Sequence, residues 1–528
     1  MRRATLLLAV LLHRCAPPAE ESPPRSVAVL PMLNLSADPL ESDYLADGIA
    51  QAVTSRLTQA GLRVIPWDTA RRYRDSELGA DAIARELEVD AVLVGTFQLS
   101  ENEILLNLSL IDAESGFQSW ADIIVEPHEN VFEMQLAIAR SVASSLKPAI
   151  TGVEEQALAA VESRSTAAYD LYLQGSYLMM EDNEESTNVA LEYFRRARDL
   201  DPGFTDAQVG VGAVHEARFA SAWGGIEDLA LAQASYEAAL RSSPTSIRAR
   251  RGLIHIDFAR GSSESCLSRA LELVRLGTAS DVEVLLARAE AYQLCGLPGL
   301  SLPLLDRVLE IDPRNQAALW RRVISLTWNG EHSSAIEVGR RYLGTFGNDP
   351  EIHLWMGVSE HLTGNVDPAW NHYGKAIERE GGEARAVYLA GFLFHQHQDP
   401  ERARRLWERG VELARSGLEE NPERIRLRFW LACFSGLLDR AEFPIEERHA
   451  LGASDINVYE LRYLAVVHAW RGNEARAVEI LRDAVGRGRL DPAWKVTFDA
   501  AGVPWQRESF AAFLKENEQL EERLRRMY

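Results

Sequence analysis

Three groups of residues in this 528-residue chain are of types that carry chemistry. Asp38, Asp43 and Asp47 gather carboxylates that could hold a cation or serve a hydrolytic reaction as paired acids. His395-Gln396-His397 sets two imidazoles at i and i+2. Cys266, Cys295 and Cys433 supply thiols. None of these reaches a complete constellation. Asp43 and Asp47 stand at the start of a helical pattern, where carboxylates favour the positive end of the helix dipole. Imidazoles at i and i+2 diverge on a helix, and no third ligand stands at a clear spacing. The cysteines are scattered singly, without C-x-x-C or an adjacent His, so buried free thiols are expected, with a Cys266–Cys295 bridge as the alternative in an exported protein. Gly210-Val211-Gly212 follows no strand and is no dinucleotide fingerprint. There is no P-loop Gly-Lys-Ser/Thr, no Gly-x-Ser-x-Gly and no His-Glu-x-x-His. The expectation is a protein that is not an enzyme, with no catalytic residues, no cofactor and no metal.

The elements that carry these residues are of two kinds. Residues 26–150 alternate strand and helix patterns. Strands are expected at 26–32, 62–65, 90–99, 104–110 and 117–125, and helices at 41–60, 79–88 and 130–147, giving the order β-α-β-α-β-β-β-α of an α/β sandwich. This stretch holds 19 Asp and Glu against 8 Lys and Arg, half of the chain's net charge of -22. So acidic a surface repels phosphate backbones, which argues against nucleic-acid binding, and suits a basic partner or solubility alone.

The segments Val27-Ala28-Val29-Leu30-Pro31, Asn34-Leu35-Ser36, Tyr44-Leu45-Ala46-Asp47-Gly48-Ile49, Ile83-Ala84-Arg85-Glu86-Leu87, Val92-Leu93-Val94-Gly95 and Leu110-Ile111-Asp112-Ala113 resemble the bacterial TolB-like amino-terminal domain. The resemblance implies a non-enzymatic α/β module, of the kind that sits between a signalling domain and tetratricopeptide repeats.

Beyond Pro148 the pattern turns helical. Ser301, Ala335, Ala369 and Ala403 stand 34 residues apart, the period of a helix–turn–helix tetratricopeptide unit. Gly296, Gly330, Gly364 and Gly472 mark turns inside units. Asp201-Pro202, Asp312-Pro313, Asp349-Pro350 and Asp491-Pro492 end units, because Pro and the residue before it oppose helix continuation. Seven to nine units are expected over 165–492, stretched by an insertion at Trp223-Gly224-Gly225 and poorly marked around 425–450, with charged capping helices over 493–528. The fold class expected is α+β overall: a small α/β sandwich followed by an all-α tetratricopeptide-repeat superhelix.

Resemblance to that repeat family implies which first-helix positions line the concave groove. Carried onto this sequence, they include Glu283, Glu290, Trp320, Trp328, Leu354, His361, Arg385, Tyr388, Phe392, Tyr459, Arg462 and Trp470. Aromatics and Arg make binding hot spots, so Trp320, Trp328, Arg385, Tyr388, Phe392, Tyr459, Arg462 and Trp470 are the expected partner-binding residues, for protein or peptide partners.

Residues 1–24 read as a signal-like segment. Arg2 and Arg3 precede the short apolar run 4–12, and Cys15 precedes a Pro-rich tether, resembling a bacterial lipoprotein with Cys15 as the lipidated residue. Any membrane tether is expected through this end only. The expected role is a protein-interaction scaffold of the cell envelope or periplasm. The alternatives are a regulatory or signalling partner in the cytoplasm and an uncharacterised hydrolase working through residues such as Asp43 and Asp47.

Overall fold

The computed structural model describes residues 26–38, 42–74, 76–101, 103–147, 151–152, 155, 158, 165–181, 183–221, 223–276, 282–378, 384–420, 425–452, 460–486, 488, 490–491 and 493–527. The signal-like segment 1–24 and Cys15 lie outside them. The described residues form a small mixed-sheet unit and, after it, a long run of helices.

The sheet unit contains β1 (Ser26–Val29), β2 (Leu33–Asn34), β3 (Arg63–Val64), β4 (Ala91–Ser100), β5 (Glu103–Asp112) and β6 (Gln118–Pro127). Helices that accompany them are α1 (Asp43–Gln59), α2 (Trp67–Ala70), α3 (Ala80–Glu86) and α4 (Val131–Leu146). The strand order is β3-β1-β4-β5-β6, with β2 pairing separately to β4. β1 runs parallel to β3 and β4, and β4 runs antiparallel to β5 from Ala91↔Asp112 to Ser100↔Glu103. Burial follows the sequence pattern. Ile104, Leu106, Leu108 and Leu110 alternate inward along β5 while Asn107 is exposed, the period-two signature of a strand with one covered face. Ala91, Val92 and Leu93 of the inner strand β4 are all buried, as in a strand covered on both faces. α3 closes one side, with Ile83, Ala84 and Leu87 in one cluster with Ala28, Leu30 and Val92. The starts of β1 and β4 are tied together, since Asp90 Oδ2 accepts from Ser26 N (2.6 Å) and Oγ (2.9 Å).

The helical unit is built of successive antiparallel pairs. They are α5 (Thr166–Leu178) with α6 (Glu184–Leu200), α7 (Thr205–Ala220) with α8 (Ile226–Ser242), α9 (Ile247–Ala259) with α10 (Ser263–Leu273), and α11 (Val282–Leu294) with α12 (Pro298–Ile311). Next come α13 (Gln316–Trp328) with α14 (His332–Phe346), α15 (Pro350–Leu362) with α16 (Val366–Ile377), and α17 (Ala384–Gln396) with α18 (Pro400–Glu420). The last pairs are α19 (Ile425–Leu437) with α20 (Phe443–Gly452) and α21 (Leu461–Trp470) with α22 (Glu474–Gly486), followed by α23 (Trp494–Ala500) and α24 (Ala511–Met527). First helices α13, α15 and α17 begin 34 residues apart. The small residues of the repeat, Ser301, Ala335, Ala369 and Ala403, are all fully buried.

A second device recurs along the stack. An aromatic ring on a second helix presses on a glycine of its own first helix and, in two pairs, on a glycine of the following one. Phe194 lies against Gly175 and Gly210, Tyr236 against Gly212 and Gly252, Tyr373 against Gly357, and Trp407 against Gly391. A Cβ at any of these glycines would overlap the ring, so here glycine is kept for close approach at a cost in helix propensity of about 1 kcal/mol. Turn residues cap helices of both kinds, Asn183 the second helix α6 and the others first helices. Asn183, Ser246, Asn315 and Asp349 each accept from the backbone N–H three residues on, and Pro350 sits at the first helical position, where its missing donor costs nothing. Pro444 does the same near the start of α20, so the poorly marked stretch at 425–450 is a regular pair.

Candidate partner-binding surface

The first helices of successive pairs bring one residue set into a continuous band, and it divides into an aromatic half and a charged half. In the aromatic half Trp328 of α13 meets Trp355 of α15 edge-on at 5.7 Å between ring centres. Trp355 Nε1 donates to Glu351 Oε1 (2.7 Å). Arg385 of α17 donates to both carboxylate oxygens of Glu351, at 3.1 and 2.5 Å. Trp320, Trp328 and Arg385 stay partly exposed, and Arg321 lies over the Trp320 ring at 5.8 Å.

The other expected groove residues meet a different fate. Tyr388 and Phe392 are fully buried (0% exposed). This corrects the groove-lining expectation for both, because first helices α17 and α21 converge and their rings pack on each other instead of facing solvent. Phe392 meets Trp470 at 5.1 Å and Trp407 at 5.3 Å. Trp470, partly exposed, also takes His395 edge-on at 4.5 Å. Arg462 is buried as well, paired with Asp491 Oδ2 at 3.1 Å and set over the Tyr463 ring. Burial opposes its charge, and Asp491 and Tyr463 outweigh that and raise its pKa. Leu354 and His361 are buried too, and Glu283 is exposed. Tyr459 lies outside the described residues.

The charged half was not singled out by aromatic spacing. Arg248, Arg251 and His255 project from one face of α9 at i, i+3 and i+7. Glu290 of α11 is buried and receives three cations: Arg251 of α9, Arg321 of α13 and, at 3.0 Å, His255 Nε2. His255 Nδ1 meets Glu216 of α7, which also accepts from Tyr236 Oη at 2.7 Å. Arg248 reaches Asp206 (3.0 Å) and the Tyr172 hydroxyl (3.1 Å). Burial works against the Glu290 charge, and Arg321, His255 and Arg251 outweigh it, holding that carboxyl well below the usual carboxylate range. Burial likewise opposes a charged His255, yet Glu216 and Glu290 carry its pKa up to about 10. This ladder ties five first helices together, from Tyr172 on α5 to Arg321 on α13. The signal for it was present in the i, i+3, i+7 spacing on α9 and in the repeat register that places Glu290 on the same face.

The groups that suggested chemistry are placed as follows. Asp43 begins α1. His395 packs on Trp470, as above. Cys266, Cys295 and Cys433 are free and buried. Among the described residues, no group of three or more His, Cys, Asp or Glu could hold a metal ion. No helix among them is long and apolar enough to cross a membrane. A cavity of about 640 Å³ opens between Pro444, Glu447, Arg448, Leu451 and Arg476. Its carboxylate is engaged: the hydrogen bond from His468 (3.0 Å), with help from Arg476, lowers the Glu447 pKa, which leaves it a poor general base.

Residues 24–140 match the family model described as HilA/YgeH-like transcriptional regulator, second domain. A curated protein of Rhizobium meliloti (strain 1021), named putative adenylate cyclase 3, is 30% identical over 222 residues. The match covers 41% of this chain and 38% of the relative's length. Among solved structures, a tetratricopeptide repeat protein of Parabacteroides merdae ATCC 43184 is similar over 51% of this chain and 98% of its own, with 14% identity and a TM-score of 0.37. YrrB, described as a TPR protein with an unusual peptide-binding site, covers 37% of this chain and 96% of its own, at 16% identity and TM-score 0.26. The human IFIT1 dimer with m7Gppp-AAAA covers 67% of this chain and 77% of its own, at 14% identity and TM-score 0.41.

Proposed function

We propose that this chain is a non-enzymatic protein-interaction scaffold that binds protein or peptide partners along its first-helix band. One observation carries the reading: Trp320 and Trp328 of α13 and Arg385 of α17, side chains of the kind that dominate binding energy, remain partly exposed on two first helices of the same band, beside the charged ladder. The test is recovery of partners on the full chain against the Trp320→Ala/Trp328→Ala/Arg385→Ala variant. Loss of recovery in the folded variant supports the groove, and equal recovery from both excludes it. The 26–150 stretch is read as a TolB-like module that carries the acidic charge, and the working location as the cell envelope, with Cys15 as the anchor. Mass measurement of the amino terminus after fractionation tests this, since an intact Met1 on a soluble cytoplasmic protein would overturn it.

A second reading is favoured by the match to a protein named putative adenylate cyclase 3 and by the regulator-domain model over 24–140. In it, the chain is a regulatory partner of a signalling protein in the cytoplasm. Purified chain incubated with ATP separates the readings from an enzymatic one. No cyclic AMP is expected, and turnover would refute the non-enzymatic assignment.

A further inference from the structure

The chain folds back on itself after its last helix pair. α24 covers α22, where Arg482 and Glu516 form an exposed ion pair (2.5 Å). That is what a capping helix does for the open end of a repeat stack. Capping does not explain a second set of contacts, to helices more than 200 residues earlier. Leu520 and Leu524 of α24 are fully buried, in one cluster with Ile254 of α9, Cys266, Leu267, Ala270 and Leu273 of α10, and Tyr292 of α11. The approach to that site is fixed by polar contacts. Ser263 N donates to Gly488 O (3.1 Å), Leu490 N donates to Ser263 Oγ (3.1 Å), and Arg523 pairs with Glu264 (3.3 Å). Gly296, at φ +89, lets the chain pass, since a Cβ there would overlap the Leu490 carbonyl.

The buried residues of α24 are Phe513, Asn517, Leu520 and Leu524, at i, i+4, i+7 and i+11, which is one stripe of a helix. Its other face carries Glu516, Glu518, Glu521 and Glu522 and then, in the last turns, Arg523, Arg525 and Arg526. An amphipathic helix laid by its apolar stripe into an apolar strip on neighbouring helices is a recurrent recognition mode. We infer that the apolar strip of α10 and α11 is a helix-docking surface, filled in cis by α24, and that its partner in trans is an amphipathic helix with leucines four apart and a Glu/Arg outer face. Tethering gives α24 a high local concentration, so a competing helix enters only when α24 lifts. The inference does not depend on what the first-helix band binds.

Native thiols report on this surface. Cys266 and Cys295 lie in the cluster that α24 covers, and Cys433 lies in the separate core of the later pairs. The experiment is maleimide labelling of the full chain, read residue by residue by peptide mass, for the unaltered protein, Leu520→Asp/Leu524→Asp and the milder Leu524→Ala. In the double variant Cys266 and Cys295 should label at least about tenfold faster while Cys433 stays protected, with Leu524→Ala between. A synthetic peptide of residues 508–528 should bind the double variant and slow that labelling again, and should bind the unaltered chain at least about tenfold more weakly, because the tethered helix competes. The inference is overturned if Cys266 and Cys295 stay as protected as in the unaltered chain. It is also overturned if all three thiols open together in both variants, or if the peptide does not restore protection.

Discussion

The Tyr388 hydroxyl donates a 2.9 Å hydrogen bond to the backbone carbonyl of Tyr463, 75 residues further along the chain. The two rings meet edge-on at 5.4 Å, and Trp430 packs on both, at 5.9 and 5.1 Å. Tyr388 lies on α17 and Tyr463 on α21, with a whole helix pair between them. First helices two pairs apart therefore touch, and Tyr388 and Phe392, which the repeat register assigns to a groove, form a core instead.

Tyr388→Phe removes the donor and leaves the Tyr463 carbonyl buried without it. An unsatisfied buried polar group costs about 1–3 kcal/mol, and the urea midpoint should fall accordingly with the m-value unchanged. Partner recovery should match the unaltered chain, because the ring faces no solvent. A loss of recovery at full stability would return Tyr388 to the binding surface.

Glu290→Gln should be among the most damaging single changes in the first-helix band. The amide keeps the shape and removes the charge that three cations share. Breaking a buried ion pair by removing one partner costs about 3–5 kcal/mol. Arg251, half-exposed, can turn to solvent, while Arg321 and His255 are largely covered, so their share of the cost persists. Unfolding of Glu290→Gln beside Glu290→Ala measures it. If both lie within 1 kcal/mol of the unaltered chain, the ladder is not structural.

Stability should fall on both sides of neutral pH, for opposite reasons. His255, raised to about 10 by Glu216 and Glu290 against burial, contributes in full below pH 6.5, and this is lost as pH rises through 10. His353 and His361 behave in the reverse sense. Burial lowers each to about 4, so the unfolded chain takes up protons first and stability drops as pH falls from 6.5 towards 4. Unfolding free energies at pH 5, 7 and 9.5 test the shape. His255→Gln should flatten the alkaline limb only, and His361→Gln the acid limb only.

These residues show which part of the fold could be read from sequence. Most strands and helices of 26–147 follow from local alternation, as at Ile104 to Leu110, while the short β2 and α2 are too brief to show any; the array follows from the period of Ser301, Ala335, Ala369 and Ala403. Both are local or strictly periodic signals. The convergence of Tyr388 and Tyr463 and the return of Leu520 to Leu267 depend on small rotations summed over many pairs, and no single residue encodes those. The exposure of Trp320 but not Tyr388 has the same origin, since both occupy equivalent kinds of position in their units. The Glu290 ladder was half legible: the register put Glu290 on a first helix of the band, but it is buried rather than lining an open groove, and charge spacing on α9 carried the remainder.

The glycine–aromatic contacts give a final test in the form of a thermodynamic cycle. Gly391 lies directly against the Trp407 indole, whose Nε1 donates to the Tyr388 carbonyl at 3.2 Å. Gly391→Ala gains helix propensity of about 1 kcal/mol, yet overpacking against a buried ring costs about 1–3 kcal/mol, so a net loss is expected. Trp407→Ala alone should cost about 3–5 kcal/mol through the cavity it opens. In the double variant the alanine methyl has no ring to strike. Its clash vanishes and its propensity gain remains, so Gly391→Ala should become stabilising in the Trp407→Ala background. The coupling energy should be at least about 1 kcal/mol, since residues in contact are not additive. Strict additivity would mean that the ring moves aside freely, and that glycine at 391 serves some purpose other than close approach.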